Sequence, residues 1–198
     1  MKFIKRMYDW VLSWADTPYG GIALFLIAFA ESSFFPIPPD VLLIALCLGK
    51  REHAFRFAAI CTAGSVLGGL VGYGIGWGLW GAVDQYFFSY VPGFSEEAFA
   101  GVQEIYQRWD FLFVFVAAFT PIPYKVITIS AGAFGLNFLM FTIATVIGRS
   151  ARFFLVSALL HFFGEPIGDF IEKRFNLLTI VFTILLIGGF YVIKVVLH

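Results

Sequence analysis

The chain has 198 residues, of which 60% are hydrophobic and 13% are charged. Soluble domains average roughly 45–50% apolar and about 25% charged residues, so a domain of this size cannot bury this much apolar surface in water. The 13 Lys and Arg residues balance the 13 Asp and Glu residues, and this neutrality gives no support to a nucleic-acid partner. The composition indicates an integral membrane protein and excludes a disordered chain, a coiled coil or a disulfide scaffold.

The first half of the chain contains an amphipathic helix, a broken apolar region and a long apolar span. An amphipathic interfacial helix is predicted at 3–16, where apolar and charged residues take opposite faces. The apolar region 20–49 is interrupted by Glu31 and a proline cluster, and neither part reaches the about 20 residues needed to cross a membrane. We predict a re-entrant hairpin there, with one long kinked span as the alternative. The charge-free run 57–83 predicts a transmembrane helix.

The same order of elements recurs in the second half. An amphipathic helix is predicted at 94–109, a re-entrant hairpin at 111–136 and a transmembrane helix at 138–163, followed by a C-terminal transmembrane helix at 175–197. The two hairpin tips share Phe and Pro-Ile-Pro, in Phe34-Phe35-Pro36-Ile37-Pro38 and Phe119-Thr120-Pro121-Ile122-Pro123.

A hairpin returns to its own side, so each repeat crosses the membrane once. The second repeat, 94–163, is then inverted relative to the first, 1–83, as in many transporters. The predicted fold is an all-α integral membrane protein that forms a single membrane domain over residues 1–198.

The distribution of basic residues predicts the orientation of the chain. Only Arg108 and Lys194 fall on one side of the predicted membrane, whereas the other side carries Lys2, Lys5, Arg6, Lys50, Arg51, Arg56, Lys173 and Arg174. This excess places the N-terminus in the cytoplasm and, after three crossings, the C-terminus outside. The C-terminus changes side if the first helix spans the membrane with a partner.

Five ionisable residues remain at membrane depth, where each costs at least ~2.5 kcal/mol at the centre of an isolated helix. They are Glu31, Asp40, Lys125, Arg149 and Arg152. Arg149 and Arg152 share one helix face and need an anion, which Glu31 and Asp40 alone can supply from the protein. Inverted hairpins that meet would also bring the tips with Asp40 and Lys125 together, and their helix N-termini would favour an anion such as phosphate.

Three simpler interpretations of these charges stay open. Asp40 follows Pro39 and fits the first turn of a helix. In a second interpretation, Glu31 is only the structural partner of an arginine. In the third interpretation, all five charges form a salt-bridge lock without a role in transport.

Glycines recur every fourth residue in the first predicted span. Gly64, Gly68, Gly72 and Gly76 form a bare helical groove that admits another backbone, either a hairpin half-helix or a second subunit. The groove would also let elements slide past one another. The sequence contains no phosphate loop, nucleophile elbow or metal-ligand spacing, so we expect no enzymatic activity, no cofactor and no metal.

Several motifs resemble the DedA proteins of the wider VTT (SNARE-associated Golgi protein) superfamily. Glu31-x4-Pro36-x-Pro38-x-Asp40 is similar to the acidic and proline motif of the family. Three further segments are similar to motifs in the second half of the family: Thr120-Pro121-Ile122-Pro123-Tyr124-Lys125, Ser130-Ala131-Gly132 and Gly148-Arg149. The resemblance runs from about residue 18 to 164, and its later region most resembles the YqaA-like branch. Thr120 and Lys125 stand where typical members carry arginines, and Asp40 where the motif usually ends in Glu.

The resemblance implies a multi-pass protein of the bacterial inner membrane that moves phospholipids or polyprenyl-phosphate carriers between leaflets, in some relatives with the proton-motive force. Lys125, Arg149 and Arg152 would bind the lipid phosphate. Glu31 and Asp40 would balance these cations in the empty site, and their protonation would couple transport to protons. The hairpin tips would be shaped by Pro36, Pro38, Pro121 and Pro123.

The expected partners are membrane lipids with an anionic headgroup or lipid phosphate, and a second copy of the chain is a possible partner. Two other functions stay open: proton-coupled transport of a small solute or ion, and a non-transporting role in membrane assembly. The nearly apolar tips favour the lipid, because a soluble solute usually needs an array of polar groups.

Overall fold

A computed structural model describes residues 10, 13–14, 17–34, 37–90, 100–101, 103–104, 110–120 and 123–164. All regular elements in these ranges are helical, which confirms the all-α prediction for this part of the chain. The helices are α1 (Gly20–Ser33), α2 (Asp40–Gly49), α3 (Ala54–Tyr90), α4 (Asp110–Phe119), α5 (Tyr124–Ala133) and α6 (Phe138–Phe163), and a 3₁₀ turn at Arg51–His53 precedes α3.

Two helices, α3 and α6, are long and apolar enough to cross a membrane. The 26 residues of α6 rise about 39 Å, more than the ~30 Å thickness of a hydrocarbon core. Helix α6 has the bounds predicted for the second span, whereas α3 extends beyond 57–83 at both ends. Hydropathy marks the end of an apolar run, whereas a helix can continue beyond it through its backbone hydrogen bonds. The predicted C-terminal span at 175–197 lies outside the described residues.

The other four helices are short and flank the two proline tips. Helix α2 and helix α5 each have 10 residues and rise about 15 Å, half the thickness of the hydrocarbon core. They begin directly after Pro39 and Pro123. A proline cannot continue a preceding helix because it lacks the backbone N–H, but a new helix can begin right after it. Of the amphipathic helices predicted at 3–16 and 94–109, only a few helical residues are described, and the rest lie outside the described ranges.

Each long helix packs against short helices from both halves of the chain. Helix α3 contacts α1 and α5, while α6 contacts α4 and α2, and α3 also contacts α6. Two apolar clusters lie at different positions along the long helices. Ala58 and Leu160 belong to one cluster, and Tyr73 and Phe141 belong to the other. The N-terminal part of α3 therefore lies beside the C-terminal part of α6, so the two helices run antiparallel.

Glycines of α3 bring the backbones of α1 and α5 into direct contact with it. A Cβ atom on Gly64 or Gly68 would meet the carbonyl oxygen of Phe25 or Phe29 in α1. A Cβ atom on Gly76 would meet the carbonyl oxygen of Ile129 in α5. The groove predicted from the glycine spacing is thus filled by two short helices of the same chain, which lie end to end along α3.

Candidate functional site

Two buried ion pairs join α6 to the helices around the first proline tip. Arg149 Nη2 lies 2.8 Å from Glu31 Oε2, and Arg152 Nη2 lies 2.9 Å from Asp40 Oδ1. The exposed fractions are 2% for Arg149, 6% for Glu31, 7% for Arg152 and 3% for Asp40. Both pairs lie where the two apolar clusters meet, between Ala144 and Phe153 on α6. They form the charged layer of an otherwise apolar helix packing.

The Glu31 carboxylate accepts hydrogen bonds from three helices. Oε2 accepts from Arg149 Nη2 of α6 at 2.8 Å and from the hydroxyl of Ser32 of α1 at 3.2 Å. Oε1 accepts from the backbone N–H of Tyr124 at 3.1 Å. Tyr124 is the first residue of α5, and N–H groups in the first turn have no partner within their own helix. Glu31 therefore caps a helix of the opposite half of the chain, where the helix dipole favours a negative charge.

The Arg149 guanidinium is held by aromatic rings as well as by its ion pair. Its central carbon lies 4.1 Å from the ring centroid of Tyr124 and 5.5 Å from that of Phe153. The Tyr124 hydroxyl is hydrogen-bonded at 2.7 Å to that of Thr145, one turn before Arg149 on α6. Arg149 Nε, in contrast, is buried without a hydrogen-bond partner. The guanidinium is therefore held by its ion pair and two rings, while its buried Nε has no hydrogen-bond partner.

The second ion pair is more completely satisfied than the first. Arg152 Nε and Nη2 both donate to Asp40 Oδ1, at 3.1 and 2.9 Å. Arg152 Nη1 donates to the carbonyl oxygen of Phe119, the last residue of α4, at 3.1 Å. Asp40 is also the first residue of α2. It thus has both properties considered from the sequence, a first-turn acid and an arginine partner.

Lys125 differs from the other four charged residues. It is the second residue of α5 and half-buried, and it forms no ion pair with the residues that the structure describes. Its carbonyl oxygen accepts from the Thr128 hydroxyl at 3.1 Å. The described part of the site therefore holds three basic side chains and two carboxylates, an excess of one positive charge.

The helices that flank the two proline tips meet, and no ion pair joins Asp40 to Lys125 among the described residues. The contacts between them run from the Tyr124 N–H to Glu31 and from the Thr128 hydroxyl to the carbonyl oxygen of Ser32, the latter at 2.9 Å. Pro38 and Pro123 lie at the tips and are exposed. Pro36 and Pro121 lie outside the described residues.

A set of hydroxyl groups around the charges was not predicted from the sequence. The hydroxyl of Ser32 is hydrogen-bonded to that of Ser65 on α3 at 2.7 Å and accepts from Arg149 Nη2 at 3.3 Å. A helical pattern could have indicated Thr145, because it lies four residues before Arg149 and shares its face. Tyr124 contributes a backbone N–H, which no residue pattern reveals.

Metal ligands do not cluster in the described part of the chain. No group of three or more His, Cys, Asp or Glu side chains occurs there that could hold an ion. The buried thiol of Cys47 lies 3.6 Å from the Ser157 hydroxyl, apart from the two ion pairs. An anion in this site could accept hydrogen bonds from arginine, lysine and hydroxyl groups and from the N-terminus of α5.

Two helices long and apolar enough to cross a membrane, and a buried charged layer between them and the short helices, are typical of a helical membrane protein. The model of the VTT domain matches residues 35–162. The chain therefore belongs to the VTT-domain family, the DedA family, as the sequence motifs predicted. The match shows membership of the family but not of a particular branch, so the YqaA-like branch stays a prediction.

Relatives of this chain are uncharacterised proteins of bacteria and an archaeon. A protein of Haemophilus influenzae is 34% identical over 98% of this chain and 100% of its own length. A protein of Histophilus somni is 32% identical over 83% of this chain and 85% of its own length. A protein of Methanocaldococcus jannaschii is 28% identical over 68% of this chain and 79% of its own length. A search of the solved structures finds no significant match.

Proposed function

We propose that this protein is a lipid translocase, similar to a scramblase, that moves a phospholipid or a polyprenyl-phosphate carrier between leaflets. The observation that carries the proposal is the charged layer where the two tips meet, with one more basic side chain than carboxylates. Such a layer can hold a lipid phosphate while the acyl or prenyl chains stay in the bilayer. The protein binds and releases the lipid without breaking a bond, so we propose no enzymatic role.

The proposed transport path runs between two re-entrant hairpins of inverted repeats. The short helices support this proposal, since none of them is long enough to cross a membrane alone. The packing supports it as well: each long helix contacts the first short helix of its own half and the second short helix of the other half. This pattern of contacts is expected when two similar halves are related by a two-fold axis in the membrane plane.

In the cell, we place the protein in the bacterial inner membrane as a multi-pass protein with a cytoplasmic N-terminus. The basic residues around the start of α3 support this orientation, because Lys50, Arg51 and Arg56 are exposed there. Membrane lipids are the proposed partners, with a second copy of the chain as a possible one.

Within the proposed site, Lys125 makes the first contact with the phosphate. Arg149 and Arg152 are paired in this structure, so they bind the phosphate only after their carboxylates move or become protonated. Protonation of Glu31 and Asp40 would link transport to the proton gradient.

One observation favours a different function. Each nitrogen of Arg152 donates a hydrogen bond, to Asp40 or to a carbonyl oxygen, as expected for a static lock in a non-transporting assembly factor. An assembly factor would retain its function when both charges of a pair are removed together, for example in Glu31→Gln with Arg149→Gln.

The test is exchange of fluorescent phospholipids and of a polyprenyl phosphate between the leaflets of liposomes that contain purified protein. The wild type should exchange lipids, and Arg149→Gln and Lys125→Gln should lose exchange by about tenfold or more, the effect of one charge-assisted contact. Lys50→Gln removes an exposed charge of the same sign and should exchange like the wild type.

Size-exclusion chromatography must show that each variant is folded. No exchange by the wild type, with or without a proton gradient, would contradict the proposal. Solute flux that follows a pH gradient and ignores lipids would favour a proton-coupled solute transporter instead.

A further inference from the structure

The Glu31 carboxylate lies in an arrangement of donors that suits an external oxyanion. Its three donors come from a guanidinium, a hydroxyl and the first N–H group of a helix. Guanidinium groups and helix N-termini are common phosphate ligands, and carboxylate and phosphate accept from the same donors. Within the protein, Glu31 thus occupies a position that an anionic ligand could take.

From this geometry we infer that Glu31 is an internal competitor: the phosphate of the substrate binds by displacing its carboxylate from Arg149 and from the N-terminus of α5. The inference rests on the proposed function and names the contacts that substrate exchanges in the site. It assigns Glu31 the part of an intramolecular ligand that closes the empty site.

The unused donor of Arg149 supports displacement at this pair. Arg149 Nε is buried without a partner although Glu31 is bound, so the two carboxylate oxygens do not satisfy the guanidinium. A buried donor without a partner is unfavourable, because it has lost its hydrogen bonds to water and gained none in the protein. A phosphate group has more oxygens than a carboxylate and can accept from Nε as well as from the donors that Glu31 now uses. Phosphate therefore gains a hydrogen bond that the carboxylate lacks.

The second ion pair offers no such gain. All three nitrogens of Arg152 already donate, one of them to the carbonyl oxygen of Phe119. An anion that replaced Asp40 would lie near this carbonyl oxygen, which repels it, and would find no nitrogen of Arg152 that lacks a hydrogen bond. The phosphate is therefore expected to displace Glu31 in preference to Asp40.

Lys125 is the basic residue next to this position in the chain. It follows Tyr124, whose N–H binds Glu31, and in the described part of the chain no carboxylate pairs with it. When a phosphate displaces Glu31, the Lys125 ammonium can balance one of the two negative charges. The site can thus hold the phosphate and the displaced carboxylate at the same time.

The test is equilibrium binding of dihexanoyl phosphatidic acid, and separately of inorganic phosphate, to the full chain in phosphatidylcholine nanodiscs. Glu31→Gln removes the competing charge and keeps a carbonyl oxygen for the Tyr124 N–H. It should bind the short-chain lipid at least about tenfold more tightly than the wild type, because the phosphate no longer competes with a charged carboxylate for these donors. Asp40→Asn changes the net charge equally and should gain much less.

Equal tightening in both variants would overturn the inference, because net charge alone would then explain the effect. Unchanged affinity in Glu31→Gln would overturn it as well. Inorganic phosphate that binds as tightly as the lipid would keep the displacement but identify free phosphate as the ligand. Leaflet exchange tests the proposed function separately: tighter binding without any exchange contradicts the translocase and not the displacement.

A measurement on the wild type keeps the inference testable if Glu31→Gln does not fold. Infrared difference spectra should show a shift of a carboxylate stretching band when dihexanoyl phosphatidic acid is added. The shift should persist in Asp40→Asn, where Glu31 is intact. Its absence from the wild type at saturating lipid would overturn the displacement.

Discussion

Helices α3 and α6 both bind short helices from the two halves of the chain, but they use different chemistry. The contacts of α3 with α1 and α5 are made by glycines that let backbones touch. The contacts of α6 with α1 and α2 include the two buried ion pairs. Helices whose backbones touch fit together in one relative position. A charged side chain, in contrast, can exchange one partner for another. The comparison suggests that α3 is a rigid support and α6 the side on which contacts change.

The largest expected effect comes from filling the groove of α3. A side chain at Gly76 would overlap the backbone of Ile129, which cannot rotate away as a side chain could. Gly76→Leu should therefore cost more than about 5 kcal/mol, the lower end of the stability of a typical domain, and give no folded protein. Size-exclusion chromatography of the purified protein in detergent measures the folded yield.

The matched control for this variant is Gly74→Leu. Gly74 lies on the same helix, but a Cβ atom there meets nothing within 4 Å. This control should give a folded yield close to that of the wild type. Similar yields of Gly76→Leu and Gly74→Leu would mean that α3 is not the rigid support that the comparison proposes.

The next largest effect is expected on the α6 side. Arg149→Gln leaves the Glu31 carboxylate buried without its charged partner, and breaking a buried pair in this way costs about 3–5 kcal/mol. The double variant Glu31→Gln with Arg149→Gln removes both charges and should recover most of the loss. Thermal unfolding in detergent, with a double-mutant cycle, measures the coupling. A double variant as unstable as the sum of the single variants would show that the two side chains are not coupled.

The positions of the helices could be predicted from the sequence better than their contacts. Apolar runs and prolines are local signals, so the breaks before Asp40 and Tyr124 and the bounds of α6 followed from them. Helix α3 continues past the predicted span to Tyr90, because hydropathy marks the apolar part of a helix and not the end of its backbone hydrogen bonds. Local patterns reveal where a helix stops being apolar but not where its backbone hydrogen bonds end.

The pairing of the charges needed the three-dimensional structure. Charge balance required two carboxylates near Arg149 and Arg152, but it could not assign Glu31 to the first and Asp40 to the second. The partners are more than one hundred residues apart, and no spacing rule connects them. The cap of α5 by Glu31 was hidden for another reason, since its donor is a backbone N–H that every residue except proline carries.

A smaller effect should follow from changes at Tyr124, which positions Arg149. Tyr124→Leu removes the ring beneath the guanidinium and the hydrogen bond to Thr145, and should cost about 2–3 kcal/mol. Tyr124→Phe keeps the ring and should cost only about 1 kcal/mol. Thermal unfolding gives both values. Equal losses in the two variants would assign the effect to the hydroxyl and leave the ring without a role in holding Arg149.

The smallest effect is expected where the two sides of the comparison join, at the hydrogen bond between Ser65 of α3 and Ser32 of α1. Ser65→Ala removes one neutral hydrogen bond and should cost about 1 kcal/mol in thermal unfolding. Ser32→Ala should cost more, because the Ser32 hydroxyl also contacts Glu31 and Arg149. If Ser65→Ala cost as much as Ser32→Ala, the hydroxyl of α3 would be an integral part of the charged layer, and the division between a rigid α3 and an exchangeable α6 would fail at this contact.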